Sequence, residues 1–243
     1  MTVHMKTLFA ALALGLLIST AAAQGGGKSP GLNAALLKMF GDTKAFTAQA
    51  EARMLDQNQK EISALPMTLA MRDGKMRADM DLSALKGGAV PAEAAAMLKQ
   101  SGMDRMSTLL LPDKKVSTIL YPGLQSYAEV PITQEEEFNG KIETTEMGRE
   151  TIDGQACKKL KLTTTDADGK TQEAFVWQAT AWENFPAQIQ LTQKPNTLIV
   201  KFQEPKLTAP ETAQFDIPAG YTKYASVPAL MQAAMMKMFG GGK

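Results

Sequence analysis

Histidine and cysteine are almost missing from this chain: 243 residues hold one of each. His4 falls in the leader described below, so the remainder carries no imidazole. That excludes Ser-His-Asp and Cys-His catalytic arrangements and the common zinc sites. Cys157 is alone, so no intrachain disulfide can form, and its place in an alternating stretch marks a buried, inert thiol. Charge of one sign is missing too. Lys6 is the only charged residue lost with the leader, which leaves 25 basic residues against 25 acidic. A balance of that kind gives no electrostatic reason to expect nucleic acid or an anionic membrane surface as partner. No phosphate-cradling glycine loop follows a strand, because the glycines cluster in tails and hairpins. Glu135-Glu136-Glu137 reads as a solvated acidic turn. No motif points to catalysis, and neither a cofactor nor a metal is expected.

What is present begins with an export signal. His4 and Lys6 precede an apolar run from Leu8 to Ile18, and Ala21 and Ala23 stand at −3 and −1 before Gln24. This is the layout of a secretory signal peptide cut after Ala23, with an apolar run too short to span a bilayer. The expected location is the periplasm. Residues 1–23 are then the signal peptide and 24–30, with Gly25-Gly26-Gly27, a flexible tail. Residues 31–239 form a single domain and 240–243 a second flexible tail.

Periodicity gives the elements. Leu32, Leu36, Met39 and Phe40 recur at helical spacing before Gly41. Then Phe46, Ala48, Ala50, Ala52 and Met54 alternate with Thr47, Gln49, Glu51 and Arg53, as in a half-buried antiparallel strand. Leu65, Met67, Leu69 and Met71 share one face of the next strand, and Met76, Ala78, Met80 and Leu82 one face of the strand after it. Between them, Asp73-Gly74 tolerates the positive φ that a tight hairpin demands. Helical patterns fit 91–100 and 227–239. Further strands fit 106–111, 116–121, 125–130, 142–151, 156–165, 172–179, 187–193 and 197–203. About ten or eleven strands with so few helices exclude a βαβ fold. The expectation is mainly β: a curved, unclosed antiparallel β-barrel with helices covering the concave face. Several strands put Ala and Met where Val, Ile or Leu would fill space, which leaves room for an enclosed cavity.

The order of elements resembles the LolA/LolB-like superfamily of periplasmic lipoprotein carriers over nearly the whole exported chain. An amphipathic helix leads into Ala45-Phe46-Thr47-Ala48. Leu109-Leu110-Leu111-Pro112-Asp113-Lys114-Lys115-Val116, followed by Leu120-Tyr121-Pro122, resembles the family's strand, turn, strand and Tyr-x-Pro exit. Phe215-Asp216-Ile217-Pro218-Ala219-Gly220-Tyr221 resembles its closing Phe-x-x-Pro-x-Gly segment. The resemblance implies an unclosed barrel whose apolar cavity receives acyl chains beneath a helical lid. It also implies an arginine after an early strand that holds the lid, and Arg72 best matches that position. The chain departs from the pattern at Lys114, where the turn glycine is usual, after Arg72, where proline is usual, and in its helical insert at 91–102.

Methionine is the unusual abundance, with 16 in the chain and 14 after the leader is removed. Phe46, Met54, Met67, Leu69, Met71, Met76, Met80 and Leu110 are the expected cavity lining, as soft walls for an acyl chain or as ordinary core. Leu230, Met231, Met235 and Met238 are the expected lid residues on the last helix, with Arg72 as their latch. The expected partner is a lipid, an acyl chain or a lipidated protein. The alternative is an envelope scaffold or sensor that recognises a protein, and a weaker one is Cu(I) held by Met103, Met106, Met235, Met236 and Met238. Trp177 and Trp182, flanking a strand end, read as core packing or protection of an edge.

Overall fold

The computed structural model describes residue 40 and residues 43–87, 92–131, 141–165, 169, 171–193 and 195–240. The expected signal peptide, the N-terminal tail, the first helix apart from Phe40, the acidic turn at 135–137 and the last three residues lie outside them. For 237–240, which include Met238, only the backbone is described.

Alternating apolar residues become strands where one face is buried, and twelve strands of the described residues, not all of this pattern, join one unclosed sheet. They are β1 (Ala45–Leu55), β2 (Glu61–Arg72), β3 (Lys75–Asp81), β4 (Arg105–Leu111), β5 (Val116–Tyr121) and β6 (Ser126–Pro131). There follow β7 (Lys141–Ile152), β8 (Gln155–Thr165), β9 (Thr171–Ala179), β10 (Pro186–Gln193), β11 (Asn196–Lys206) and β12 (Thr222–Tyr224). Their order is β12-β6-β5-β4-β3-β2-β1-β11-β10-β9-β8-β7. Two α-helices stand among the described residues, α1 (Ala92–Gln100) and α2 (Val227–Gly240). The second begins where expected and runs into the residue that was to open the C-terminal tail. Asp73 (φ 51°) and Gly74 (φ 76°) turn β2 into β3 as a two-residue hairpin with both residues left-handed. Gly102 ends α1 so close to Gly123 that a Cβ on Gly123 would stand 2.4 Å from the Gly102 carbonyl oxygen.

One expectation is corrected. The sheet is mixed, because β12 runs parallel to β6 through Thr222↔Ser126 and Tyr224↔Ala128. Three residues are too few to show an alternation, so nothing in the pattern announced this strand. It arrives beside β6 by way of the long connection from β11, and a crossing connection of that kind permits parallel pairing.

Register sorts the side chains onto two faces. On the first, Phe46 pairs with Met71, Ala48 with Leu69 and Ala50 with Met67. The rows continue through Met71↔Met76 and Met67↔Met80 into Met76↔Leu110 and Met80↔Met106. In the other direction Ala50 meets Phe202 and Ala52 meets Val200, then Ile189↔Val200 and Ile189↔Val176. Ten strands, all except β7 and β12, contribute buried residues to this one cluster.

The opposite face is covered only in part. Residues 207–221, between β11 and β12, run over it as a strap. Arg72 Nη1 donates to the Pro210 carbonyl at 2.7 Å, and Arg77 Nη1 donates to the Gln214 carbonyl at 2.7 Å. Farther on, Ile217 and Tyr221 pack on Leu109, Leu111 and Leu120. A smaller cluster of Cys157, Trp177, Ala179 and Ala187 lies under the other wing.

Candidate functional site

The eight residues expected to line a cavity are brought together. Phe46, Met54, Met67, Leu69, Met71, Met76, Met80 and Leu110 are all buried in the ten-strand cluster, from full burial at Phe46 to 9% exposure at Met76. Alanines at 48, 50, 52, 78, 128 and 174 stand in the same face. Small side chains between flexible methionines make a wall that can be indented at low cost.

Polar groups interrupt it, Thr108 and Tyr121 among them. Thr108, between Ala78 and Ile119, is 1% exposed, and its hydroxyl has no hydrogen-bond partner among the described residues. Tyr121 is 3% exposed, and burial pushes its hydroxyl up to about 12.

Four phenylalanines close one end of the apolar face. The Phe40 ring lies 4.8 Å from Phe46, 5.6 Å from Phe185 and 5.8 Å from Phe202. Phe46 and Phe185 are 4.8 Å apart and Phe185 and Phe202 5.3 Å, both edge to face. They come from four separate segments, so no spacing in the sequence predicts the cluster. Beside it opens a cleft of about 590 Å³, lined by Phe40, Thr43, Lys44, Ala45, Lys158, Gln178, Glu183, Asn184 and Leu207.

The expected lid residues separate. Leu230 is 1% exposed and joins the apolar cluster, whereas Met231 and Met235 are 39% and 51% exposed. The helix lies along β6 and β12, at the margin of the sheet, and among its described side chains the Val227–Leu230–Ala234 stripe reaches inward. Arg72 follows Met71 in β2 and therefore projects from the opposite face. Its polar partners are the Pro210 carbonyl and Asp73, neither of them on α2. The geometry makes Arg72 an anchor of the strap. Of the methionines weighed as copper ligands, Met106 is sealed in the core at 2% exposure and Met236 is 65% exposed.

The lone thiol and the tryptophans have structural places. Cys157 is buried, and desolvation pushes its thiol up. Trp177 Nε1 donates to Glu150 Oε2 at 2.6 Å, while Lys159 Nζ sits 4.9 Å from the Trp177 ring and 2.8 Å from Glu150 Oε1. The hydrogen bonds from Lys159 and Trp177 hold the Glu150 carboxyl below its ordinary value of 4.5. Trp182 packs between the large and small clusters.

No protein-family model matches this sequence, and no curated protein does. Solved structures do resemble it. A LolA superfamily protein from Nitrosomonas europaea is 11% identical, with 74% of this chain and 93% of that one covered at a TM-score of 0.36. LprF from Mycobacterium bovis is 14% identical, with 81% and 100% covered at 0.37. The MucA/MucB complex of Pseudomonas aeruginosa matches at 13% identity, with 77% and 61% covered at 0.38. At such identities and scores a reading of function must come from the geometry of the chain itself.

Proposed function

We propose that residues 31–239 act as one periplasmic, non-catalytic binding unit, exported through the signal peptide, that holds a lipid, an acyl chain or a lipidated partner against the apolar face. One observation carries the reading: this face is wider than the described helices can cover. Ten strands at about 4.8 Å spacing would span roughly 43 Å if flat. The 14 residues of α2 make a rod of about 21 Å, and it lies at one margin; α1 is shorter and packs on the turn at 82–84. Yet Ala48, Ala50, Ala52 and Met67 in the middle strands are no more than 6% exposed.

A sheet bent over its own apolar face, with Phe40 packed against Phe46, Phe185 and Phe202 at one end, would supply that cover. The cleft supports such bending, since Ala45 on β1 and Lys158 on β8 wall the same space from strands four positions apart. In this reading α2 is the movable part. Among its described side chains, lifting it exposes chiefly Leu230, a contribution of about 1.5–3 kcal/mol that an entering chain offsets.

Uptake of radiolabelled phospholipid and of a triacylated peptide by delipidated protein is the test. Saturable uptake of either supports the reading. Uptake of neither favours the protein-recognising alternative, for which β7 is the suited element: an outermost strand of 12 residues exposed over nearly all its length.

A further inference from the structure

We infer that the cleft at the phenylalanine end receives the anionic head of an acyl-chain ligand, with Lys44 and Lys158 as its cationic partners. The inference rests on the hydrophobic-ligand reading and adds the chemistry of the ligand's other end. Along β8 and β9 the apolar face runs Leu162↔Ala174 and Leu160↔Val176, and the next pair in register is Lys158↔Gln178. The wall thus turns polar at one rim, and at that rim the cleft opens. Phe40 joins the two regions, because its ring packs on Phe46 and Phe185 while its outer edge walls the cleft.

The charge of the lining favours an anion: among the described residues, two lysines and the amides of Gln178 and Asn184 stand against one carboxylate, Glu183. Lys44 has no ion-pair partner among the described residues. Lys158 meets Glu146 at 3.1 Å with both side chains solvated (42% and 54% exposed), and such a pair is held weakly enough to be exchanged for a ligand. A second depression, on the sheet surface, is less suited to an anion: Arg77 and Arg105 there stand against Asp79 and Asp81, and Arg77 and Ser107 are already bonded to Asp79. A fatty-acid carboxylate and a phospholipid phosphate both meet this chemistry.

The experiment uses the delipidated exported chain and three probes at low salt: oleate, oleoyl lysophosphatidylglycerol and uncharged mono-oleoylglycerol, each titrated calorimetrically. At least one anionic probe should bind about tenfold more tightly than the uncharged one. In the Lys44→Gln/Lys158→Gln double variant that advantage should vanish while affinity for mono-oleoylglycerol is retained. The anionic probe with the larger lysine-dependent advantage shows whether the head is a carboxylate or a phosphate. Equal affinity for all three probes in the unaltered protein overturns the inference, as does a double variant that weakens all three alike. Failure of every probe to bind is a different result, because it removes the hydrophobic-ligand reading itself.

Discussion

Strands β4 and β5 differ from β7 in a way that shows how this sheet is built. From Met106 to Leu111 and from Ser117 to Tyr121 every residue is buried, on both faces. Along β7 almost every residue is exposed, also on both faces. The first pair has the large apolar cluster on one side and the strap on the other, with Ile217 and Tyr221 laid over Leu109, Leu111 and Leu120. The second is an edge, held by β8 and by surface ion pairs such as Lys159–Glu150 and Lys158–Glu146. One wing is therefore a three-layer structure fixed by apolar packing, and the other a flange whose shape rests on pairing. The lesson is that the strap, and not the described helices, gives β4 and β5 their second covered face.

The largest effect that would sharpen this contrast is at Phe46. Its replacement by alanine removes the ring shared by Phe40 and Phe185 and should cost about 3–5 kcal/mol in urea denaturation. Met147→Ala on β7, where the side chain is 51% exposed, should change stability by less than about 0.5 kcal/mol. Equal losses at the two sites would break the comparison.

Arg77 comes next. Arg77→Ala releases the Gln214 carbonyl and strips Asp79 of its guanidinium partner, at about 1.5–3 kcal/mol. Amides at 207–221 should then exchange faster with solvent while those of β7 and β8 keep their rates. Arg72→Leu should loosen the same strap by a smaller amount, near 1 kcal/mol, and leave ligand exchange unaltered. Altered ligand exchange with a tight strap would restore Arg72 to the latch role that the family resemblance implies.

A gain is expected at Thr108. Its buried hydroxyl has no partner among the described residues, so Thr108→Val should stabilise the ligand-free protein by about 1 kcal/mol, read as a rise in Tm. A fall in Tm would mean the hydroxyl is satisfied.

The smallest effect is on the flange and depends on pH. The Glu150 carboxyl titrates below its ordinary value of 4.5 when folded. Its contribution is therefore complete above about 4.5 and is lost as pH falls through the lower folded value. Trp177 fluorescence should report that loss at acid pH, before β4 and β5 open. In Glu150→Gln the acid transition of the tryptophan signal should disappear, and its persistence would assign it to another group.

Much of this molecule was legible in the sequence. Period-two patterns and short apolar runs between turn signals located eleven strands, although β4 and β5 are buried on both faces and β7 on neither. Asp73-Gly74 marked a hairpin whose two positive φ angles only a few residue types tolerate. The eight residues expected to line a cavity fell on one buried face because a period of two fixes the face once a strand is recognised. What alternation cannot carry is contact between distant segments. Phe40, Phe46, Phe185 and Phe202 meet through tertiary packing alone. Arg72 finds the backbone of Pro210, 138 residues away, because the strap crosses there. The exposure of Met231 and Met235 likewise follows from where α2 docks, at the β6 and β12 margin, and not from its stripe of apolar residues. The run Leu109-Leu110-Leu111 did hold a clue, since three consecutive apolar residues in a strand require cover on both faces.

The central claim is that the apolar face is a place for a ligand, and native mass spectrometry of the gently purified exported chain addresses it most directly. The account predicts an acyl-lipid adduct that organic extraction removes and added lipid restores. A bare chain before extraction, and again after lipid is supplied, would contradict it.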